Sequence, residues 1–134
     1  MASLSIRPVI GITMGDPAGV GPEVTAKALS NKEMYDICKP IVIGDAGVMT
    51  RALGIVKVKL KVNPVQKVSA GKFKYGTMDV LDLKNVDLDK LQIGKVQAMA
   101  GKASLEYVHK AVELALKGDI HAIATTSINK EGIH

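Results

Sequence analysis

Apolar residues come in short blocks along this chain, and most blocks stop at a glycine, a proline or a charged residue. "VIGITM", Val9 to Met14, is apolar and rich in β-branched residues, which predicts a buried strand. Pro22 suits the first position of a helix, and Glu23 suits its first turn. Val24, Ala28 and Leu29 then give an apolar stripe that should fade by Ser30 and Asn31. "IVIG", Ile41 to Gly44, predicts a second buried strand. Asp45 is placed to cap the helix "AGVMTRAL", whose Val48, Met49, Ala52 and Leu53 share a face and which Gly54 should end. "VKVKLKV", Val56 to Val62, alternates strictly. Val58, Leu60 and Val62 point one way and three lysines the other, as in a half-buried strand near a sheet edge. Residues 63–96 read as loop and short turns, apart from a strand at Thr77 to Leu83. The strongest helical pattern runs from Ala98 to Lys117, with Leu105, Val108, Val112 and Ala115 as the core-facing stripe and Gly118 as the stop. Ile120 to Thr126 predicts a last strand.

Strands and helices therefore alternate, which predicts an α/β layer structure with a largely parallel sheet and right-handed crossovers. The 134 residues are enough for one domain with a real core. The chain stops at His134 just after a strand, which suggests a portion of a larger protein.

Composition narrows the partners. Phe73 and three tyrosines are the only aromatic side chains, so the core must be aliphatic. The net charge of +5 comes largely from Lys57, Lys59, Lys61, Lys67, Lys72 and Lys74, which fit a solvated face. There is no arginine cluster and little aromatic interleaving, which speaks against a nucleic-acid partner. No apolar run reaches the ~18 residues of a membrane span. Cys38 is the only cysteine, and no secretion signal precedes it, so a reducing, cytoplasmic compartment is expected. Beside a core strand, its thiol reads as inert packing.

Two loops carry candidate chemistry. In an open α/β sheet, ligands gather beyond the carboxyl ends of the strands. The stretch "GDPAGVGPE", Gly15 to Glu23, lies there, between the first strand and the first helix. Gly19 and Gly21 would let backbone approach a ligand, and a helix N-terminus suits an anion. Pro22 removes one donor. Asp16 could accept hydrogen bonds from hydroxyls or orient a lysine. The pattern is neither G-x-G-x-x-G nor the P-loop, so neither nucleotide fingerprint applies, and a purely structural turn stays an alternative. The second loop is "TTSINKEG", Thr125 to Gly132. Thr126 supplies a hydroxyl, Asn129 an amide and Lys130 a charge, a set suited to a phosphorylated, hydroxylated small molecule. Helix capping by Ser127 or Asn129 is the alternative. His109, His121 and His134 show no metal-ligand spacing.

"GITMGDPAGVGPE" and "TTSINKEGIH" together resemble the 4-hydroxythreonine-4-phosphate dehydrogenase family, including its 4-phospho-D-threonate and 4-phospho-D-erythronate dehydrogenase relatives. Thr126 and Ser127 stand where many members have Gly-Pro, which leans towards the phosphosugar-acid relatives. The resemblance implies a three-layer α/β/α fold like that of isocitrate and isopropylmalate dehydrogenases, incomplete here, with residues 1–134 as the N-terminal portion of a two-domain subunit. It implies a homodimer that uses NAD or NADP and a divalent metal (Zn, Mg or Co) to oxidise a phosphorylated hydroxy acid. The family's metal histidines and Gly-His-Thr motif would lie beyond His134, so no residue here inherits those roles and the chain alone should be inactive. A non-catalytic α/β binding or assembly module is the competing reading.

Overall fold

The computed structural model describes residues 6–95 and 97–125. Its elements run in the expected alternation: β1 (Val9–Thr13), α1 (Gly21–Leu29), α2 (Lys32–Ile37), β2 (Lys39–Gly44), α3 (Ala46–Val56), β3 (Lys61–Val65), β4 (Thr77–Asp82), α4 (Ala98–Lys117) and β5 (Ala122–Thr125). A single 3-10 turn, Val68–Ala70, lies between β3 and β4.

All five strands are parallel, in the order β3-β4-β2-β1-β5. The chain steps outward from β1 through β2 to β3, then returns through β4 to β5. With right-handed crossovers, that reversal puts α1 and α3 on one face and α4 on the other. The packing agrees: α1 lies on α3, α3 on β3 and β4, and α4 on β1, β2 and β5. In the central strand β2, Ile41, Val42 and Ile43 are fully buried. Met14 crosses so close to it that a Cβ on Gly44 would sit 2.7 Å from the Met14 Cβ. Among the described residues no helix is long and apolar enough to cross a membrane.

Several sequence expectations need correction. Ser30 and Asn31 do close α1, but Asn31 also opens a helix that the pattern hides. Its side chain accepts a hydrogen bond from the Glu33 amide at 2.9 Å and caps α2. Of the expected stripe Leu29 is buried and Ala28 half-buried, but Val24 faces solvent, and α1 also buries Pro22, Thr25 and Ala26. Gly54 does not end α3. The helix runs to Val56 and stops at Lys57, in the left-handed region, with the Lys57 and Val58 amides bonded back to Gly54 and Leu53. The alternating stretch is therefore not a strand from Val56. Its lysines are exposed and Val58, Leu60 and Val62 half-buried, as the alternation predicts. Ladder pairing begins only at Lys61, because β4 supplies partners from Thr77 onward. In α4 the buried stripe is Ala100, Ala103, Ser104, Tyr107, Ala111 and Leu114, one position back from the predicted stripe. Leu105 and Val112 remain exposed.

Candidate functional site

The Gly-rich loop sits where the sequence predicts it, at the carboxyl end of β1 and before α1. Gly15 has φ 78°, a backbone conformation that side-chain-bearing residues rarely adopt. Asp16 is buried. Its Oδ1 accepts from the Ala18 amide at 2.8 Å, and its carbonyl accepts from the Gly19 amide at 2.9 Å. These two bonds close a tight Asx-type turn. The Ala18 carbonyl in turn accepts from the Gly94 amide at 2.7 Å, which ties the turn to the segment before α4.

The turn sharpens the roles of the predicted residues. Part of the hydrogen-bonding capacity of Asp16 is spent on the loop itself. At Gly19 a Cβ would only reach ordinary contact with Asp16, at 3.5 Å, so crowding does not demand glycine there. Gly21 is the first residue of α1 and is buried. No side chain caps that helix, since Val20 holds the N-cap position, and Pro22 has no amide hydrogen to offer. The N-terminus of α1 therefore keeps its partial positive charge next to the turn.

A shallow groove runs between this turn and α3, lined by Pro17, Gly19, Pro22, Glu23, Arg51 and Ile93 among others. The Nη2 atom of Arg51 is buried and has no hydrogen-bond partner among the described residues. Sequence reading passes over Arg51 as a polar position of a helix. The available signal is its type: the chain has two arginines against many lysines, and a planar fork is favoured where a buried or bidentate contact matters. The other arginine, Arg7, is used structurally, with its Nη1 donating to the Tyr35 carbonyl.

β5 ends beside β1, with Thr13 and Thr125 in register. Thr125 is the last described residue, so Thr126, Asn129 and Lys130 lie outside the described residues. The same holds for His134. His109 is exposed on α4, and His121 Nδ1 accepts the Val9 amide at 2.9 Å, a fold contact. Among the described residues no three His, Cys, Asp or Glu side chains come together as a metal site. Cys38 is buried, its thiol directed at the Met34 carbonyl, and burial pushes its pKa up, so its reactive thiolate is disfavoured.

A second polar group lies at the ends of β2 and β4, where the crossovers diverge to opposite faces. That is a common ligand position in such sheets. Here the protein fills it. Asp45 accepts from Val48 and Val86 amides, Asp82 from Ala46 and Lys84 amides, and Tyr107 donates to Asn85 at 2.7 Å. The segment after β4 is folded over the crevice, and Leu88 packs against Gly47.

A family model described as "Pyridoxal phosphate biosynthetic protein PdxA" matches residues 36–134. A Clostridium botulinum (strain Hall) protein named "Putative D-threonate 4-phosphate dehydrogenase" is 54% identical over 127 residues, 95% of this chain and 38% of its own length. A protein of the same name from Symbiobacterium thermophilum is 51% identical over 130 residues, 97% of this chain and 39% of its own length. Among solved structures, a 4-hydroxythreonine-4-phosphate dehydrogenase from Burkholderia phymatum superposes with a TM-score of 0.93 at 45% identity, over 96% of this chain and 39% of that one. A 4-hydroxythreonine-4-phosphate dehydrogenase from Klebsiella pneumoniae gives 0.89 at 33% identity, over 96% and 39%. The chain thus spans about two-fifths of the length of the relatives it matches.

Proposed function

This chain belongs to the PdxA family of pyridoxal phosphate biosynthetic proteins, and on that premise we propose that it is the N-terminal α/β part of a dehydrogenase acting on a phosphorylated hydroxy acid. One observation carries the reading: a 45% identical chain with this same sheet, at a TM-score of 0.93, is a 4-hydroxythreonine-4-phosphate dehydrogenase. The curated relatives at 54% and 51% identity carry the D-threonate 4-phosphate name, which favours that sugar acid as substrate. Thr126 and Ser127 in place of Gly-Pro lean the same way.

The reaction removes hydride from a carbinol carbon and a proton from its hydroxyl. NAD or NADP would take the hydride in the complete subunit. Towards such an anionic cofactor or a phosphorylated substrate, this chain offers the uncapped first turn of α1 and the Arg51 guanidinium. Asp16, Gly19 and Gly21 shape that rim, and Thr126, Asn129 and Lys130 are proposed to face it from the segment after β5. A divalent metal has no ligand set among the described residues, and they supply no step through one. The complete enzyme is proposed to be a cytoplasmic homodimer.

The test is a chimera in which residues 1–134 replace the matching part of the Clostridium botulinum relative. NAD(P)H formation is followed with D-threonate 4-phosphate and with 4-hydroxythreonine 4-phosphate, in the presence of divalent metal. Turnover, faster with the threonate ester, is expected. A folded chimera that reduces neither NAD nor NADP with either substrate would favour the non-catalytic module.

A further inference from the structure

The segment after β4 reaches the Gly-rich turn through one residue. Residues 84–95 form a strap over the carboxyl ends of β2 and β4. The Asp82 and Asp45 carboxylates hold it at the Lys84 and Val86 amides, and Leu91 is buried beneath it. Near its far end the Lys95 amide donates to the Gln92 carbonyl at 3.2 Å, which closes a β-turn over residues 92–95. Gly94 holds the third position of that turn with φ 82°, while Ile93 before it has no positive φ. This pattern is a type II turn, which calls for glycine at the third position. The turn type decides where the Gly94 amide points. Between types I and II, ψ of the second residue changes by about 150°, which turns over the peptide that carries this amide. In the form present here it donates to the Ala18 carbonyl at 2.7 Å. Among the described residues no other backbone hydrogen bond reaches residues 15–19 from a distant part of the chain. A Cβ on Gly94 would meet nothing within 4 Å, so backbone conformation, and not space, requires glycine there. Gln97 buckles the same turn. Its Oε1 accepts from the Gln92 amide at 2.8 Å, and its Nε2 donates to the Lys90 carbonyl at 2.9 Å. Gln97 stands at the N-cap of α4 and makes no side-chain cap bond there; its side chain is spent on the strap instead.

We propose that Gly94 and Gln97 are positioning residues for the ligand rim: they fix the Gly-rich turn, and with it the first turn of α1, for a phosphate-bearing ligand. The inference rests on the functional reading of that rim given above. The bonds from Asp16 to the Ala18 and Gly19 amides set the shape of the turn but not where it stands. The bond from Gly94 sets its place, because it comes from a part of the chain anchored on other strands. Ala18 lies just before Gly21, the first residue of α1, so a shift at Ala18 passes directly to the helix N-terminus. Ile93, at the tip of the type II turn, lines the groove together with Pro17 and Gly19.

The test uses the full-length chimera described above. Gly94→Val puts a β-branched residue where φ is positive, and Gln97→Ala opens the buckle. Gly94→Asn is the rescue, since asparagine tolerates the left-handed region and has room here. Hydrogen exchange is followed in a peptide spanning the Gly-rich turn. Calorimetric titration gives the Kd of NAD, NADP and D-threonate 4-phosphate, and steady-state assays give KM and kcat. Gly94→Val should speed exchange at the Ala18 and Gly19 amides and leave the circular dichroism unchanged. It should raise Kd and KM for at least one of these ligands about tenfold, with kcat kept, as loss of uniform binding does. Gln97→Ala should do the same more weakly, and Gly94→Asn should behave like the parent. The ligand whose Kd moves, cofactor or phosphate ester, is the one that the rim holds. Unchanged exchange in the turn would overturn the proposal. So would unchanged affinity for all three ligands, or an Asn variant as impaired as the Val variant. If Gly94→Val does not fold, Gln97→Ala decides by exchange and affinity. An unsubstituted chimera that binds none of the ligands would sink the functional reading instead, and the exchange readout would still decide whether the strap fixes the turn.

Discussion

Asp79 is a fully buried carboxylate whose charge is met by hydrogen bonds. It accepts from the Asn63 side-chain amide at 2.8 Å and from the backbone amides of Lys72 and Phe73 at 3.0 and 2.8 Å. It thereby holds the β3–β4 crossover against β4. Asp79→Ala should cost about 3 kcal/mol in urea unfolding, because it strands three donors, each bond to a charged group being worth roughly 1.5–3 kcal/mol before relaxation. Tyr35 is a different buried group. Its hydroxyl donates to the Thr77 carbonyl at 2.9 Å. Burial first, and then the Asp79 charge, push its pKa to about 12. Burial likewise raises Tyr107, with the Asp45 charge next. A raised tyrosine pKa means that the folded state holds the proton longer than the unfolded state. Stability from this source is complete below pH ~10 and falls as pH rises towards 12. Tyr35→Phe should cost about 1 kcal/mol at neutral pH and flatten the alkaline fall measured by denaturant titration. An unchanged alkaline slope would show that Tyr35 does not titrate as its burial implies. At Gly44 the Met14 side chain leaves no room, so Gly44→Ala should lower stability by roughly 1–3 kcal/mol, as overpacking does.

Elements are joined at a few side chains. Asp45 caps α3 through Oδ1, at 3.0 Å from the Val48 amide, and holds the segment after β4 through Oδ2, at 3.3 Å from the Val86 amide. The capping role is legible in the sequence, as Asp before an apolar helix; the bond to Val86 is not. Asp45→Ala should cost about 2 kcal/mol, at the upper end for a lost cap. Asp45→Asn, which keeps the cap acceptor, should recover most of it in the same unfolding assay. The misplaced start of β3 and the shifted stripe of α4 share a cause. Periodicity tells which residues lie on one side, but which side meets the sheet depends on neighbours far away in sequence. For β3 the neighbour is β4. For α4 it is the small-residue row of Ala100, Ala103, Ser104 and Ala111, which lets the helix lie close on β1 and β2 while Tyr107 reaches Asn85.

At the scale of the molecule, the described residues form a five-stranded parallel sheet with β3 and β5 at its edges. Its candidate site is a rim without a metal cluster among the described residues. The chain spans about two-fifths of the length of its relatives, and we propose that these 134 residues alone show no dehydrogenase turnover above background with NAD or NADP, metal and either phosphorylated acid. Turnover of about 1 per second would contradict this. In the chimera, Lys130→Met keeps the stem and removes the charge proposed to meet the substrate phosphate. It should raise the substrate Kd tenfold to a hundredfold, since roughly 1.5–3 kcal/mol is at stake and each 1.4 kcal/mol is a factor of ten. Unchanged affinity with lost stability would make Lys130 a fold residue.

The sequence by itself determined the alternation of strands and helices, the parallel sheet, the Gly-rich turn after β1, the caps at Asp45 and Gly118, and the family. Each is written in local terms: period, turn chemistry, a cap one residue from its helix, or a contiguous motif. Only the tertiary structure decided where β3 begins, which stripe of α4 is buried, that Asp16 spends a carboxylate oxygen on its own turn, and that Arg51 lines the groove beside that turn with an Nη2 that finds no partner among the described residues. These depend on groups distant in the chain, or on a choice between local bonds that composition leaves open. Burial and pairing are properties of the assembled layers, and no window of sequence contains them.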